Sequence, residues 1–470
     1  METEETQMQS NPADAARIFD DRKVSGFQYL VVVLCGLVLF IDGFDTQAIS
    51  YIMPLLAKQW GIPATMTGTI FSSTLVGLMV GYLALSPLSD KFGHRRVLIV
   101  STFFFGLCTL LTVMASNVPE LLALRFLTGL GLGAAAPGAI ALTGEYSPKR
   151  LRASFVLAIY CGFSLGFVAA GFAAGQLLPA HGWTSLLWVG GLLPMVLAVL
   201  LFFALPESLA FLGRRAQDRD QLRATLHRID PALATKLDSM PAAVQGGPSR
   251  AAIASLFKDG YTTGTVLLWG IFFLNLAAFY FMQSWLPSIL GKLEYPMQTI
   301  VWMTSLSTVG GIVAAFFVGP AMDRIGPYIS LGVLYLCGGV FMAVTAAALT
   351  AAPWVLMIAV FFGGFCVSGG QKSAIALGAV FYPTDIRSTG LGWALGIGRL
   401  GGIAGPAVAG MLIGAHWLPS SLFYLAAVMM LLAAGGVFAM GRRYGGRAAR
   451  SVPGSEPRAH SRQANPSLSK

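Results

Sequence analysis

Twelve long apolar runs separated by short polar connections limit what this chain can become. They cover approximately residues 27–50, 65–87, 97–116, 119–143, 154–178 and 183–205, then 262–288, 299–320, 328–350, 353–380, 388–413 and 418–440. A helix crossing a bilayer needs about 20 mostly apolar residues, and backbone groups in lipid must be bonded internally. The runs therefore predict an all-α integral membrane protein with twelve transmembrane helices. Composition agrees: 11% of residues are charged and 55% hydrophobic, whereas soluble domains carry about 25% charged residues. Cys35, Cys108, Cys161, Cys337 and Cys366 all lie in apolar runs without metal-ligand spacing, which predicts buried packing residues rather than disulfides or metal ligands. No metal site and no cofactor is expected. No cleavable leader is expected either, because residues 1–20 are polar and the first apolar run is too long.

The basic residues predict orientation. Of 31 Lys and Arg, Lys58 and Lys292 fall on one side of the predicted membrane, and Arg125, Lys372 and Arg399 fall inside spans. The other 26 lie in the two termini and the alternate loops. The positive-inside rule then puts both termini in the cytoplasm. The net charge of +10 thus describes topology and not a nucleic-acid partner, which would need basic residues clustered on a polar domain.

A polar stretch from Glu207 to Tyr261 divides the chain. The expected organisation is a cytoplasmic tail (1–26), a six-helix bundle (27–205), a cytoplasmic linker (206–261), a second six-helix bundle (262–440) and a basic tail (441–470). The first part of the linker can form amphipathic surface helices. The halves repeat at a nearly constant offset: Asp90 and Asp323 are 233 residues apart, while Pro148 and Pro383, Arg152 and Arg387, and His181 and His416 are each 235 apart. Six-helix repeats are a transporter architecture with substrate near the midplane.

Charges inside the spans mark the candidate site, since a lipid-facing charge costs on the order of 2.5–3.5 kcal/mol at the helix centre. Asp42 and Asp45 lie three residues apart in the first span, on one helical face, and Gly43 is expected to allow close approach between them. Two such carboxylates cannot both ionise cheaply in a low dielectric, which suits proton coupling; a structural pair bonded to the fourth span or to backbone donors is the alternative. Arg125 in the fourth span is expected at the level of Asp45, as its counter-ion or as a dock for an anionic substrate. Arg399, within Gly-Ile-Gly-Arg-Leu-Gly-Gly of the eleventh span, serves structural pairing or substrate contact. Lys372, beside Gln371 in the tenth span, either snorkels to the interface or meets substrate. Asn275, Tyr280 and Gln283 of the seventh span are candidates for a partly aromatic cavity wall. The excess of positive over negative intramembrane residues favours an anionic substrate.

Several motifs together resemble those of the major facilitator superfamily. Ser86-Pro-Leu-Ser-Asp-Lys-Phe-Gly-His-Arg-Arg96 resembles its loop between the second and third helices, with Ser86 in place of the usual glycine. Gly319-Pro-Ala-Met-Asp-Arg-Ile-Gly326 resembles the second copy and lacks the following basic pair. Within the superfamily the chain is most similar to the aromatic acid–proton symporters. Asp42-Gly-Phe-Asp45 resembles their first-helix signature. Arg125-Phe-Leu-Thr-Gly-Leu-Gly-Leu-Gly133, followed by Pro137 and Glu145, resembles their fourth helix. Tyr382-Pro-Thr-Asp-Ile-Arg-Ser-Thr-Gly-Leu-Gly-Trp393 resembles their tenth-to-eleventh connection.

The resemblance covers 27–440 and implies two pseudo-symmetric six-helix bundles whose first, fourth, seventh and tenth helices line the cavity. It implies an interdomain latch at Asp90 and gating roles for Gly93, Arg95, Arg96, Glu145, Asp323 and Arg324. Lys372 departs from the family pattern, and either shifts selectivity among acids or has no bearing on it. The expected function is proton-coupled uptake of an aromatic carboxylate of the hydroxybenzoate or benzoate class by alternating access, as a monomer driven by the proton gradient. A carrier of another substrate in the same fold (a drug–proton antiporter, a sugar porter or another organic-acid carrier) is the alternative. Neither a nucleophile–base pair nor a metal cluster points to an enzyme.

Overall fold

The computed structural model describes residues 24–213, 219–230, 253–258 and 260–448. Twelve helices among them are long and apolar enough to cross a membrane. The first half holds α1 (Gly26–Trp60), α2 (Ala64–Val80), α3 (His94–Leu111), α4 (Val118–Glu145), α5 (Lys149–His181) and α6 (Trp183–Ala204). The second holds α7 (Thr262–Lys292), α8 (Met297–Ile325), α9 (Pro327–Ala348), α10 (Pro353–Phe381), α11 (Thr384–Gly414) and α12 (Pro419–Ala448). Most helices overrun their apolar stretches. α1, for instance, continues through Pro54 to Trp60, because helical bonding does not stop where hydropathy falls.

The ends follow local chemistry. Ser25 and Gln28 form a reciprocal capping box at the start of α1, with bonds of 2.9 and 3.3 Å. Gly61, at φ 65°, closes the helix. Gly93 and Gly326 stand 233 residues apart at φ 98° and 91°, each opening the next helix. Only glycine adopts such angles cheaply, so the repeat extends to the backbone.

Packing repeats as well. In the first half α1 packs on α5 and α6, α4 on α2 and α3, and α3 on α6. In the second, α7 packs on α11 and α12, α10 on α8 and α9, and α9 on α12. These are the same five pairings shifted by six helices. Large apolar side chains such as Phe203 (79% exposed) and Phe316 (72%) lie on the outside, the inversion expected where lipid is the solvent.

Gly43 does a different job from the one expected. A methyl group there would lie 2.0 Å from the Phe163 carbonyl of α5, so its missing side chain seats α1 on α5 rather than bringing the two aspartates together. Small residues allow such backbone approach in membranes.

The halves meet along α2–α11, α5–α8 and α1–α7. An even number of crossings returns the chain to its starting end, here called the terminal end; the opposite is the far end. The two halves interlock at the far end. Methyl groups at Gly68 and Gly410 would lie 2.6 Å from the carbonyls of Pro406 and Ala64 respectively. Phe172 meets Trp302 edge-to-face at 5.3 Å, and Phe71 meets Trp285 at 5.6 Å. The far end is shut.

Of the predicted linker, Leu209–Gly213, Arg219–Ile229 and Ile253–Phe257 are helical. Arg228 stacks over the Phe27 ring at 4.2 Å, which lays the middle of these against the start of α1. Residues 214–218, 231–252 and 259 of the linker, most of the amino-terminal tail and the end of the carboxyl-terminal tail lie outside the described residues.

Candidate substrate and proton site

Three residues apart on α1, the side chains of Asp42 and Asp45 point about 60° apart around the helix axis, and they meet different surroundings. Asp45 points into the first half. Its Oδ1 accepts a 2.7 Å hydrogen bond from Thr109 of α3, and its Oδ2 lies 3.4 Å from Nη1 of Arg125 on α4. Arg125 also donates from Nη2 to Thr112 (2.8 Å) and Thr109 (3.4 Å). Both charged residues are 1% exposed. This is a sealed ion pair inside one bundle, and in this arrangement Arg125 presents nothing to a cavity.

Asp42 faces the boundary between the halves. Thr46 donates to its Oδ1 at 3.4 Å, and Arg399 of α11 lies within electrostatic range. Arg399 is half-buried and reaches both bundles: Nη1 donates to the Tyr280 hydroxyl of α7 (3.2 Å) and Nη2 to the Tyr82 hydroxyl of α2 (3.4 Å). Its guanidinium also sits 5.0 Å from the centre of the Tyr82 ring, a cation–π distance. Tyr160 of α5 is in the same field. Nearby, Phe279 of α7 stacks on Phe167 of α5 across the boundary at 6.4 Å. The result is one cation, one carboxylate and several aromatic rings converging where the two halves meet.

The remaining polar candidates spread over the second bundle. Gln283 donates to Thr308 of α8 (3.3 Å), while its backbone carbonyl accepts from Gln47 of α1 (3.3 Å). Asn275 is fully buried and ties α7 to the Val367 carbonyl of α10 at 3.0 Å. Lys372 points inward, its Nζ 3.4 Å from the Gly311 carbonyl of α8 and near Cys161 of α5; it does not snorkel to the terminal end. Gln371 is half-buried beside it.

At the terminal end, Gly93 packs where a methyl group would lie 2.4 Å from the Glu207 carboxylate. Glu207 Oε1 accepts from the backbone N–H groups of Arg95 and Ser208, both at 2.9 Å. Arg95 also donates to the Phe202 carbonyl. Glu145 accepts from the Ser208 hydroxyl at 2.7 Å and from the Ala210 N–H at 3.2 Å. Arg96, Asp323 and Arg324 are exposed. The Asp90 side chain lies outside the described residues.

Sequence reasoning overlooked Tyr82, Tyr160, Thr109, Thr112 and Glu207. Thr109 and Thr112 carried a usable signal, since they are two hydroxyls three residues apart within the otherwise apolar stretch 103–114. Tyr82 sits in a wide π-helical turn, Gly81–Leu85, that continues α2. Such turns redirect side chains and recur at functional sites, but nothing in the apolar run marks one.

Residues 35–334 and 292–467 both match the Major Facilitator Superfamily. The chain belongs to that superfamily. Among its major facilitator relatives is the 4-hydroxybenzoate transporter PcaK of Pseudomonas aeruginosa, 40% identical over 86% of this chain and 90% of the relative. The gallate transporter of Pseudomonas putida is 36% identical over 86% and 89%. The inward open xylose transporter XylE of E. coli shares the major facilitator fold at a TM-score of 0.67 and 17% identity, covering 87% of this chain and 95% of that one. The protein is therefore a multi-pass membrane transporter, and its relatives are carriers rather than enzymes.

Proposed function

We propose that this transporter is a proton-coupled symporter importing an aromatic carboxylate of the hydroxybenzoate or benzoate class across a bacterial inner membrane. Arg399 carries the reading. It spans both bundles, with Asp42 in its field and Tyr82, Tyr160 and Tyr280 around it. A guanidinium binds a carboxylate strongly, and flanking aromatic rings suit a benzoate ring. The names of the relatives support the same class of substrate. The distribution of Lys and Arg supports a cytoplasmic terminal end, which makes the arrangement with the far end shut an inward-facing one.

In the cycle we infer, Asp42 is the proton-binding carboxylate. Protonation removes its attraction for Arg399 and frees that cation for the substrate carboxylate. Asp45 and Arg125 form a second coupling pair, whose opening loosens α1 from α3 and α4 as the halves rock. Asn275, Gln283, Gln371 and Lys372 shape the wall of the second bundle and bear on selectivity. Gly93, Arg95, Arg96, Glu145, Asp323 and Arg324, with Asp90, act at the terminal-end gate. The proton gradient is the only energy source the scheme requires, and one chain contains every group it uses.

The test is uptake of labelled 4-hydroxybenzoate by expressing cells with and without a protonophore. Accumulation should collapse with the gradient; uptake indifferent to it would sink the coupling. Arg399→Gln should abolish accumulation, and Asp42→Asn should abolish accumulation while sparing exchange of substrate. An Asp42→Asn variant that accumulates substrate normally removes that residue from the mechanism.

A further inference from the structure

The far end is shut, yet a cleft of about 510 Å³ opens above the seal, between α1 and α2 of one bundle and α7 and α8 of the other. Lys58 and Lys292 stand on its rim, and both are exposed. They are the two basic residues outside the terminal-end loops and the spans. They also occupy equivalent places: each lies in the last turn of its helix, α1 and α7, and they are 234 residues apart, the offset of the repeat. A cation at a helix C-terminus complements the helix dipole, which accounts for either lysine alone. It does not account for their facing a common cleft from opposite halves.

The wall beneath them is built to receive something. Tyr295 supplies half-buried aromatic surface. Ser288 lines the cleft with a side chain 6% exposed, and its hydroxyl has no hydrogen-bond partner among the described residues. A buried hydroxyl without a partner costs stability, so its retention points to a ligand. No lining residue is acidic; Glu294, two residues beyond Lys292, is not on the cleft wall. The volume lies in the range of small-molecule sites.

We propose that this cleft is an outer capture site for an aromatic carboxylate. The carboxylate sits between the ammonium groups of Lys58 and Lys292, the ring lies against Tyr295, and the Ser288 hydroxyl binds a polar substituent. The inference rests on reading the chain as an aromatic-acid carrier, and it adds a station before the central Arg399 site. Paired cations at a cleft mouth raise the local concentration of an anion and its rate of capture. When the halves part, the two lysines separate and release the anion toward the opening cavity.

Two readouts separate this proposal from the reading beneath it. In uptake assays, the double variant Lys58→Gln/Lys292→Gln should raise KM for 4-hydroxybenzoate roughly five- to tenfold with maximal rate unchanged. It should also lose most of the dependence of uptake on ionic strength. Lys58→Arg/Lys292→Arg should behave like the parent. Independently of transport, Leu55→Cys places a thiol on the exposed cleft wall. Benzoate should slow its labelling by a membrane-impermeant maleimide, and the protection should vanish when both lysines are Gln. If wild-type protein takes up no aromatic acid but protection is seen, the transport reading fails and the capture site stands. If uptake is normal, with KM and salt dependence unmoved by the double Gln variant and no protection, the lysines only complement helix ends and the proposal is overturned.

Discussion

Replacing Asp45 with asparagine exposes what the buried ion pair contributes. Arg125 is 1% exposed, and its guanidinium is held by the Asp45 carboxylate at 3.4 Å and by the Thr112 and Thr109 hydroxyls at 2.8 and 3.4 Å. Removing one partner of a buried pair costs about 3–5 kcal/mol, because the other charge stays out of water without a counter-ion. Asparagine can still accept from Thr109, so Asp45→Asn falls near the lower figure. Arg125→Gln leaves Asp45 as the stranded charge, with one hydroxyl donor, and costs a similar amount. Asp45→Asn/Arg125→Gln strands neither charge. Its cost should therefore fall below either single change, to about 1–2 kcal/mol for imperfect neutral hydrogen bonds. The two effects are far from additive because the groups share one network. Thermal unfolding of detergent-purified protein with a thiol-reactive dye reads this directly, since Cys35, Cys108 and Cys366 are 0–3% exposed and become reactive on unfolding. A double variant as unstable as the sum of the singles would refute the reasoning.

Glycines within a bundle and between bundles should behave differently. Gly364→Ala would push a methyl group within 2.0 Å of the Ser307 carbonyl inside the second bundle and should sharply reduce the yield of folded protein. Gly68→Ala, at 2.6 Å from Pro406 across the boundary, should leave folding intact but oppose far-end closure, read as faster labelling of a far-end cysteine and slower uptake. Tyr82→Phe removes a hydroxyl that accepts from Arg399 and keeps the ring. KM should rise about fivefold, and further in Tyr82→Ala, which also loses the cation–π contact; uptake kinetics decide it. Glu207→Ala leaves the Arg95 and Ser208 N–H groups without their acceptor and should cost about 1–3 kcal/mol, measured in the same unfolding assay.

Much of the architecture was legible in the sequence. All twelve runs correspond to helices, and the repeat read from Asp90, Pro148 and His181 returns in the helix pairings and in the backbone angles of Gly93 and Gly326. Arg125 was placed opposite Asp45 by counting residues along two antiparallel spans, and the two are in contact. The divergence of Asp42 from Asp45 was not legible. A step of three residues puts two side chains on one broad face, but whether they share a partner depends on which helices border that face. The role of Gly43 was hidden for the same reason. Nor did Glu207 stand out, because it follows the sixth span in a stretch that reads as polar linker.

Hydropathy and helix length accumulate along the chain, so the sequence by itself determined twelve crossings, a repeat of landmarks at a nearly constant offset and which charges lie within the membrane span. Interhelical packing is not additive in that way. The rotation of each helix about its axis is set by where small residues let backbones meet. Only the tertiary structure decided that Asp45 is sealed with Arg125 in one bundle, while Asp42 and Arg399 meet at the boundary between two.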